Sequence, residues 1–429
     1  MDFPGRDPAR KTQAGKKARK VLMKHEYERT TVSIAKVRDE QIYEAVKTAV
    51  DLVGGMQSYV KEGDRVTLKP NLAYPYPPPA TTDPRVVKAV AQLCFEAGAS
   101  KVYIGDSAAY SCKSILGVGR WTNQDVIERT GMAKVAEETG AQIVDFDEDE
   151  FVMTQIPDGV ILQEAPIAKK MLDTDVVINI PALKTHFETL VTLGLKNYHG
   201  ILPDHYKVQW HKDEIMQKII DLHKVVKTDL TILDGLVGMQ GLGPRCGTNV
   251  QMDVILASAD MVSLDAVASE LMEIGADEVE SIRIARMQGL GNGFMDNIDI
   301  VGEKLDDVKV KFDRPDVSID GIYPDFKIIK GGPCVHCYGR TKIMLDDLLA
   351  ENFPDNAGVT NVFVGINPKQ IPVEQIKGKA LFIGDCAIST AANLRYALGD
   401  RAICVDGCPP IASVHRELDK LRAEQEKKK

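Results

Sequence analysis

A chain of 429 residues is longer than one ordinary hydrophobic core fills, so two domains are the natural expectation. Hydrophobic content of 44% and charged content of 27% match folded globular chains and exclude disordered, fibrous and membrane-embedded classes. A formal net charge of −9 argues against nucleic acid as a general partner, because binding phosphates calls for a basic surface.

Basic residues crowd the start of the chain (Arg6, Arg10, Lys11, Lys16, Lys17, Arg19, Lys20 and Lys24) with no apolar stretch behind them. Residues 1–27 therefore read as a basic disordered leader rather than a secretory signal, and the expected location is cytoplasmic. Residues 30–37 form a short strand. Residues 39–53 carry helical spacing, with Ile42, Ala45, Val46, Ala49 and Val53 on one face and Gly54-Gly55 as the stop. A strand over 65–68 enters KPNL (69–72), and the proline-rich 74–79 is an irregular loop. Thr82 or Asp83 caps a helix that has Pro84 near its first position and runs to residue 97. A strand over 101–104 leads to GDS (105–107) and an irregular segment reaching 121. A helix over 123–139, a strand over 142–145 and a solvated DEDE turn at 147–150 follow.

Residues 175–180 (DVVINI) and 230–233 (LTIL) are almost wholly apolar, as strands buried on both faces of a parallel sheet are. A strand over 254–257 precedes a helix over 261–274. Strands alternating with helices give an α/β domain over 28–300, an open, mostly parallel sheet with helices on both faces. After a connecting segment at 301–330, strands at 362–364, 380–383 and 402–405 mark a smaller C-terminal α/β cluster-binding domain over 331–415. Residues 416–429 read as a charged tail.

Five cysteines, Cys334, Cys337, Cys386, Cys404 and Cys408, crowd the last quarter of the chain. In a reducing compartment such crowding points to metal or redox chemistry rather than to disulfides. Cys334 and Cys337 form a C-x-x-C turn, which aims two thiolates at one centre. Cys386 follows a strand in the loop GDCA, and Cys408 follows another in DGCPP. Loops beyond the carboxyl ends of strands are where open α/β sheets build their sites. Cys404 lies inside a strand and reads as a core thiol. Ligation of one 4Fe-4S cluster by Cys334, Cys337, Cys386 and Cys408 accounts for this pattern. Structural zinc uses the same thiolates, and a thioredoxin-like redox pair would leave Cys386 and Cys408 unexplained.

The GDCA and GCPP loops, each behind a strand, resemble the proximal-cluster domain of the nickel–iron hydrogenase small subunit and its relative in respiratory complex I. The resemblance is confined to residues 332–410 and implies a 4Fe-4S cluster. This chain departs from it by placing its first pair as C-x-x-C within GGPCVHC.

In the large domain, polar motifs follow the strands. They are KPNL (Lys69, Asn71), GDS (Asp106, Ser107), PALKTH (Lys184, Thr185, His186), GLKNYHG (Lys196, Asn197, His199) and DGLVGMQGLGP (234–244, with Gly241 and Gly243). If their strands are parallel neighbours, Lys69, Lys184 and Lys196 converge at one sheet edge. With Asn71, Ser107 and Asn197 they make a site for a carboxylate or phosphate. Gly241 and Gly243 let the backbone approach an anion closely, although their spacing matches neither the dinucleotide fingerprint nor the P-loop. Each lysine alone is equally an exposed loop charge. His186, His199, His205 and His211 include no helical i,i+4 pair, which weakens a metal reading. His186 is the preferred general acid–base, with Lys184 and Asp106 as catalytic companions. Asp234 and Asp265 orient it or bind a cation, unless Asp265 is simply a helix N-terminal charge.

Together with ATTDP (80–84) and ADMVSLDAV (259–267), these motifs resemble the family called domain of unknown function 362, over residues 30–300. That resemblance implies the α/β unit and no settled reaction. Some members carry iron–sulfur cysteines in a ferredoxin-like arrangement, which this chain does not show. The expectation is an iron–sulfur oxidoreductase with one 4Fe-4S cluster and a lysine-lined site for a small anionic substrate or cofactor. A redox partner protein is expected, nucleic acid and membrane are not. The alternatives are a non-redox isomerase or lyase that uses the cluster as Lewis acid or clamp, and a non-catalytic cluster-carrying binding or assembly protein.

Overall fold

The computed structural model describes residues 28–109, 121–210, 214–316, 318–319, 322–349 and 354–427. The basic leader, His211 and most of the irregular segment after GDS lie outside these residues.

The strands of the first unit are β1 (Thr30–Lys36), β2 (Arg65–Pro70), β3 (Lys101–Asp106), β4 (Gln142–Asp145), β5 (Phe151–Gln155), β6 (Glu164–Ala168), β7 (Val176–Ile180), β8 (Ala182–His186), β9 (Leu190–Val191), β10 (Leu230–Gln240), β11 (Thr248–Ser258) and β12 (Ile298–Gly302). β5 and β6 form a separate hairpin. The others build a 10-stranded sheet in the order β12-β1-β11-β10-β7-β2-β3-β4, with β8 and β9 attached beside β10. The run β10-β7-β2-β3-β4 is parallel throughout, while β11 is antiparallel to both of its neighbours. The mostly parallel α/β expectation therefore holds. The exception arises because β10 and β11 are joined by a short connection, and strands so joined must pair antiparallel.

All five residues of β7 are buried, as its apolar sequence requires of an inner parallel strand. One core, formed with the helices Ile42–Asp51 and Pro84–Glu96, covers one face of the sheet; another, formed with Ile215–Leu222, Met261–Leu271 and Glu280–Met287, covers the other. Asp83 caps the helix Pro84–Glu96 by accepting from Arg85 N at 2.9 Å. The single helix expected over 123–139 is two, Asn123–Arg129 and Met132–Thr139, broken at Gly131.

Two of the polar motifs expected to follow strands are themselves strands. PALKTH forms β8, and DGLVGMQ continues β10 to Gln240. Glycines dilute the alternating pattern of β10, and Pro181 separates β8 from β7. Yet Asp234 and Met239 of β10 still pair with Ala182 and Lys184. The extension carries Lys184 and His186 beyond the edge of the main sheet.

The second unit is a four-stranded parallel sheet, β13 (Lys327–Gly331), β14 (Val359–Gly365), β15 (Lys379–Ile383) and β16 (Ala402–Val405), in sequence order. The helices Val335–Leu349 and Ile411–Glu426 cover one face, burying Leu345, Leu348, Leu418 and Leu421. Residues 416–426, taken as a tail, thus belong to a packed helix, and β13 begins inside the segment taken as a connection. No helix among the described residues is long and apolar enough to cross a membrane.

Candidate functional site

The strand-end motifs interlock into a buried polar floor. Lys69, near the end of β2, is fully buried, with Nζ 2.7 Å from Asp106 Oδ1 and 2.9 Å from Pro70 O. Asp106 ends the neighbouring strand β3 and also accepts from Leu72 N at 2.7 Å and Ser107 N at 2.8 Å. Burial lowers the Lys69 pKa and the Asp106 carboxylate opposes that shift, so the pair clamps KPNL to GDS. Gly200 of GLKNYHG closes over it. A Cβ there would stand 1.9 Å from Asp106 Oδ1, so no other residue fits without moving the carboxylate.

Lys184 of β8 is equally buried, but among the described residues it contacts no carboxylate. Its Nζ donates to Asn71 Oδ1 at 3.0 Å and to Ala80 O at 2.9 Å. Burial and then the nearby Lys196 ammonium bring its pKa down to about 7. Asn71 Nδ2 donates to Asn197 Oδ1 at 3.1 Å, and Asn197 Nδ2 donates to Lys69 O at 3.0 Å and Asn179 Oδ1 at 2.8 Å. Asp265 accepts from Gly194 N at 2.7 Å and Leu195 N at 2.9 Å, which fixes the short helix Gly194–Asn197 that carries Lys196. Asp234 accepts from Asp83 N at 2.7 Å and Leu236 N at 3.1 Å. Burial raises both aspartates to about 7. Asp234 and Asp265 thus serve backbone amides.

Above this floor a cleft of about 860 Å³, counted to its open mouth, lies between the two units. Lys184, Lys196, Lys207, Arg245 and Arg340 line it with His186 and His199, and Asn71, Ser107, Asn197 and Gly243 also face it. Among the described residues its one lining carboxylate is Asp106, which Lys69 neutralises from below. The result is a cationic cleft. Lys69 and Gly241 are not part of its wall, and His205 is exposed outside it. Burial lowers the Lys196 pKa to about 8, helped by Arg340 and opposed by Glu188. Lys207 donates to Ser107 O at 3.1 Å and Ala108 O at 3.0 Å, fixing the GDS loop.

His186 is buried, and its Nδ1 accepts from Glu188 N at 3.1 Å. That contact makes Nδ1 the acceptor and leaves Nε2 as the protonated nitrogen of the neutral ring. The Glu188 carboxylate reaches across to the second unit, with Oε1 3.3 Å from Arg340 Nη2 and 4.0 Å from His336 Nε2. Arg340 also lies over the Phe187 ring, 4.9 Å from its centroid.

The cysteines gather at the carboxyl edge of the small sheet. Cys334 follows β13, and Cys337 sits in the first turn of the helix Val335–Leu349. Cys386 follows β15, and Cys408 follows β16. The last two loops are tied by Asp385 N donating to Gly407 O at 3.1 Å and Gly407 N donating to Asp385 Oδ1 at 2.7 Å. Hydrogen bonds from Cys337 and His336 hold Cys334 down to about 3. Cys337 is pushed up by the Cys334 contact, by burial and by the charges of Cys334, Cys386 and Cys408. The four thiols thus feel one another, although among the described residues no three His, Cys, Asp or Glu groups stand as a formed ion site. All four are free of disulfides. Cys404, within β16, instead meets Arg395 Nη1 at 3.3 Å.

Residues 66–270 match the family model described as Domain of unknown function (DUF362). Over 264 residues the chain is 31% identical to a thylakoid-associated protein of Synechocystis sp. (strain ATCC 27184 / PCC 6803 / Kazusa), covering 58% of this chain and 78% of that protein. The chain belongs to the DUF362 family. Among solved structures, the lactate racemase apoprotein of Thermoanaerobacterium thermosaccharolyticum is 15% identical with a TM-score of 0.37, covering 64% of this chain and 60% of the racemase. A Thermotoga maritima protein is 11% identical with a TM-score of 0.34, covering 88% of this chain and 81% of that one. Both likenesses are remote.

Every floor residue from Lys69 to Asp265 falls within the DUF362 match, whereas Arg340 and the four cysteines lie beyond it. Sequence reasoning missed Lys207, Glu188, Arg245 and Arg340. Arg245 follows the glycine-rich loop directly, and Arg340 lies three residues past Cys337 at helical spacing, so both left a signal. Lys207 and Glu188 left none, because nothing in the sequence announces that they are enclosed.

Proposed function

We propose that this DUF362 protein is an iron–sulfur redox protein that binds a small anion in the cationic cleft. Cys334, Cys337, Cys386 and Cys408 would hold one 4Fe-4S cluster at the edge of the second unit. The observation that carries the proposal is the helix Val335–Leu349. Cys337 lies in its first turn and Arg340, one turn on, lines the cleft. Three residues of helix rise about 4.5 Å, so the cysteine edge and the anion site share one rigid element.

The donor set fits such a cluster. Four thiols outside any disulfide come from three strand-end segments at one sheet edge, and hydrogen bonds from Cys337 and His336 favour the thiolate of Cys334, the form that ligates. Gly384 keeps the flank of Cys337 open, since a Cβ there would stand 3.0 Å from its sulfur. The likeness of GDCA and GCPP to a proximal-cluster domain supports the same assignment. When bound, the cluster supplies one-electron transfer to and from a partner carrier. This chain's own residues do the rest. Lys196, Arg245 and Arg340 attract and orient the anion, Asn71 offers it the second proton of its amide, Asn197 and Ser107 hold the floor beneath it, and His186 presents its Nε2 proton.

Anaerobic purification, followed by iron and sulfide assays and electron paramagnetic resonance, tests the proposal. Iron and acid-labile sulfide in equal amounts are expected, lost on Cys386→Ser or Cys408→Ser and kept on Cys404→Ser. A colourless protein with stoichiometric zinc would overturn it.

A further inference from the structure

Two buried lysines under one cleft have been given opposite surroundings. Lys69 meets a carboxylate at 2.7 Å, as a buried ammonium requires. Among the described residues Lys184 hydrogen-bonds only two neutral oxygens, of Asn71 and Ala80; the largest charge effect on it is the like charge of Lys196, which Asp106 and Asp234 oppose without contacting it. A neutral amine has two N–H donors and one lone pair. Two acceptors satisfy the donors of Lys184, among the described residues nothing else is seen to engage its nitrogen, and the residue lines the cleft.

His186 stands two residues further along β8. Residues i and i+2 of a strand project from one face about 6.6 Å apart, and both side chains line the cleft. Thr185, between them, turns the other way and donates to Met239 O at 3.2 Å and Gly241 O at 2.9 Å.

We propose that Lys184 is a nucleophilic amine that forms an imine with the carbonyl carbon of a small 2-oxo acid, whose carboxylate is held by Lys196, Arg245 and Arg340. This names the substrate class of the anion site proposed above and rests on that reading. The nitrogen lone pair attacks the carbonyl carbon and one of the two nitrogen protons passes to the carbonyl oxygen, giving a carbinolamine. The remaining nitrogen proton and the hydroxyl then leave together as water, the Nε2 proton of His186 hydrogen-bonding the departing oxygen, and the imine remains; no oxidant or reductant is consumed. A lysine freed of its charge by burial and by a neighbouring cation is the form in which this step runs near neutrality, and the pKa of about 7 agrees. The imine draws electrons from the adjacent carbon, which eases cleavage of a C–H or C–C bond there.

The test uses the full chain at neutral pH with 2-oxobutanoate or glyoxylate and sodium cyanoborohydride, which reduces an imine to a stable secondary amine. Peptide mapping by mass spectrometry is expected to find one adduct, on Lys184, that excess 2-hydroxybutanoate suppresses. Because the unaltered chain is mapped, the result does not depend on a variant that folds. If calorimetry shows 2-hydroxybutanoate binding but Lys184 carries no adduct, the imine is overturned and the anion site stands. Adducts scattered over surface lysines overturn it equally. If neither acid binds, the imine and the anion site fall together.

Discussion

Glu188 and Arg340 meet at 3.3 Å across the boundary between the two units. The Glu188 side chain is 1% exposed and the Arg340 side chain 11%, so this ion pair is sheltered rather than superficial. Because the Glu188 amide also donates to His186, the contact ties the position of the candidate acid–base to the helix Val335–Leu349. Coupled neighbours of this kind show interaction energies of about 0.5–3 kcal/mol in double-mutant cycles. A cycle of Glu188→Gln and Arg340→Met, followed by urea denaturation, is expected to give a value in that range. Strictly additive effects would show that the two units do not communicate through this pair.

The Lys69–Asp106 pair is expected to dominate the stability of the floor. Breaking a buried pair strands a charge, so Lys69→Met should cost about 3–5 kcal/mol, read from chemical denaturation. Gly200→Ala should destabilise by about 1–3 kcal/mol through the same carboxylate, because the new methyl overlaps Asp106 Oδ1. Near-native stability in both variants would mean that the clamp is dispensable.

If the cleft binds the proposed anion, its affinity should follow the charge of the lining side chains. Removing one charged contact by Lys196→Met or Arg245→Ala should weaken binding of inorganic phosphate or oxalate about tenfold, or 1.4 kcal/mol, by calorimetry at fixed ionic strength. Lys196 has its pKa lowered to about 8, so its positive charge is lost as pH rises through that value. Anion affinity is therefore expected to fall across pH 8 in the native chain and to lose that step in Lys196→Met. Affinity indifferent to both substitutions would place the anion elsewhere.

Acid sensitivity should trace to His223. Its Nε2 lies 2.8 Å from Leu195 O, its ring stacks on Tyr198, and burial lowers its pKa to about 4. The unfolded chain binds a proton near pH 6.5 that the folded chain refuses until about 4, so stability is lost as pH falls through that window. Melting curves between pH 4 and 7 are expected to show a shallower slope for His223→Gln, whose amide can still donate to Leu195 O. An unchanged slope would assign the sensitivity to other groups.

Much of the fold was legible because its strands are short apolar runs bounded by turn residues, and because Asp83-Pro84 announces a helix start. What escaped was the second role of polar motifs. In PALKTH and DGLVGMQ lysine, histidine and glycine interrupt strand patterning, so the sequence reads as motifs that follow strands, yet β8 and β10 are strands running through them. The same enclosure explains why Lys69, Asp234 and Asp265 looked like site residues. Buried polar side chains that hold backbone in place carry the same sequence signature as side chains that hold a ligand. Lys184 and Lys69 were indistinguishable until their partners, two amide oxygens for one and a carboxylate for the other, were visible.

The cleft takes its floor from residues inside the DUF362 match and part of its roof, Arg340, Ile343 and Ile411, from residues beyond it. Each half folds around its own sheet, and they join along a single stretch of chain. Replacing the second unit at that seam would therefore change the residues that face the cleft from above and leave the buried polar floor as it is.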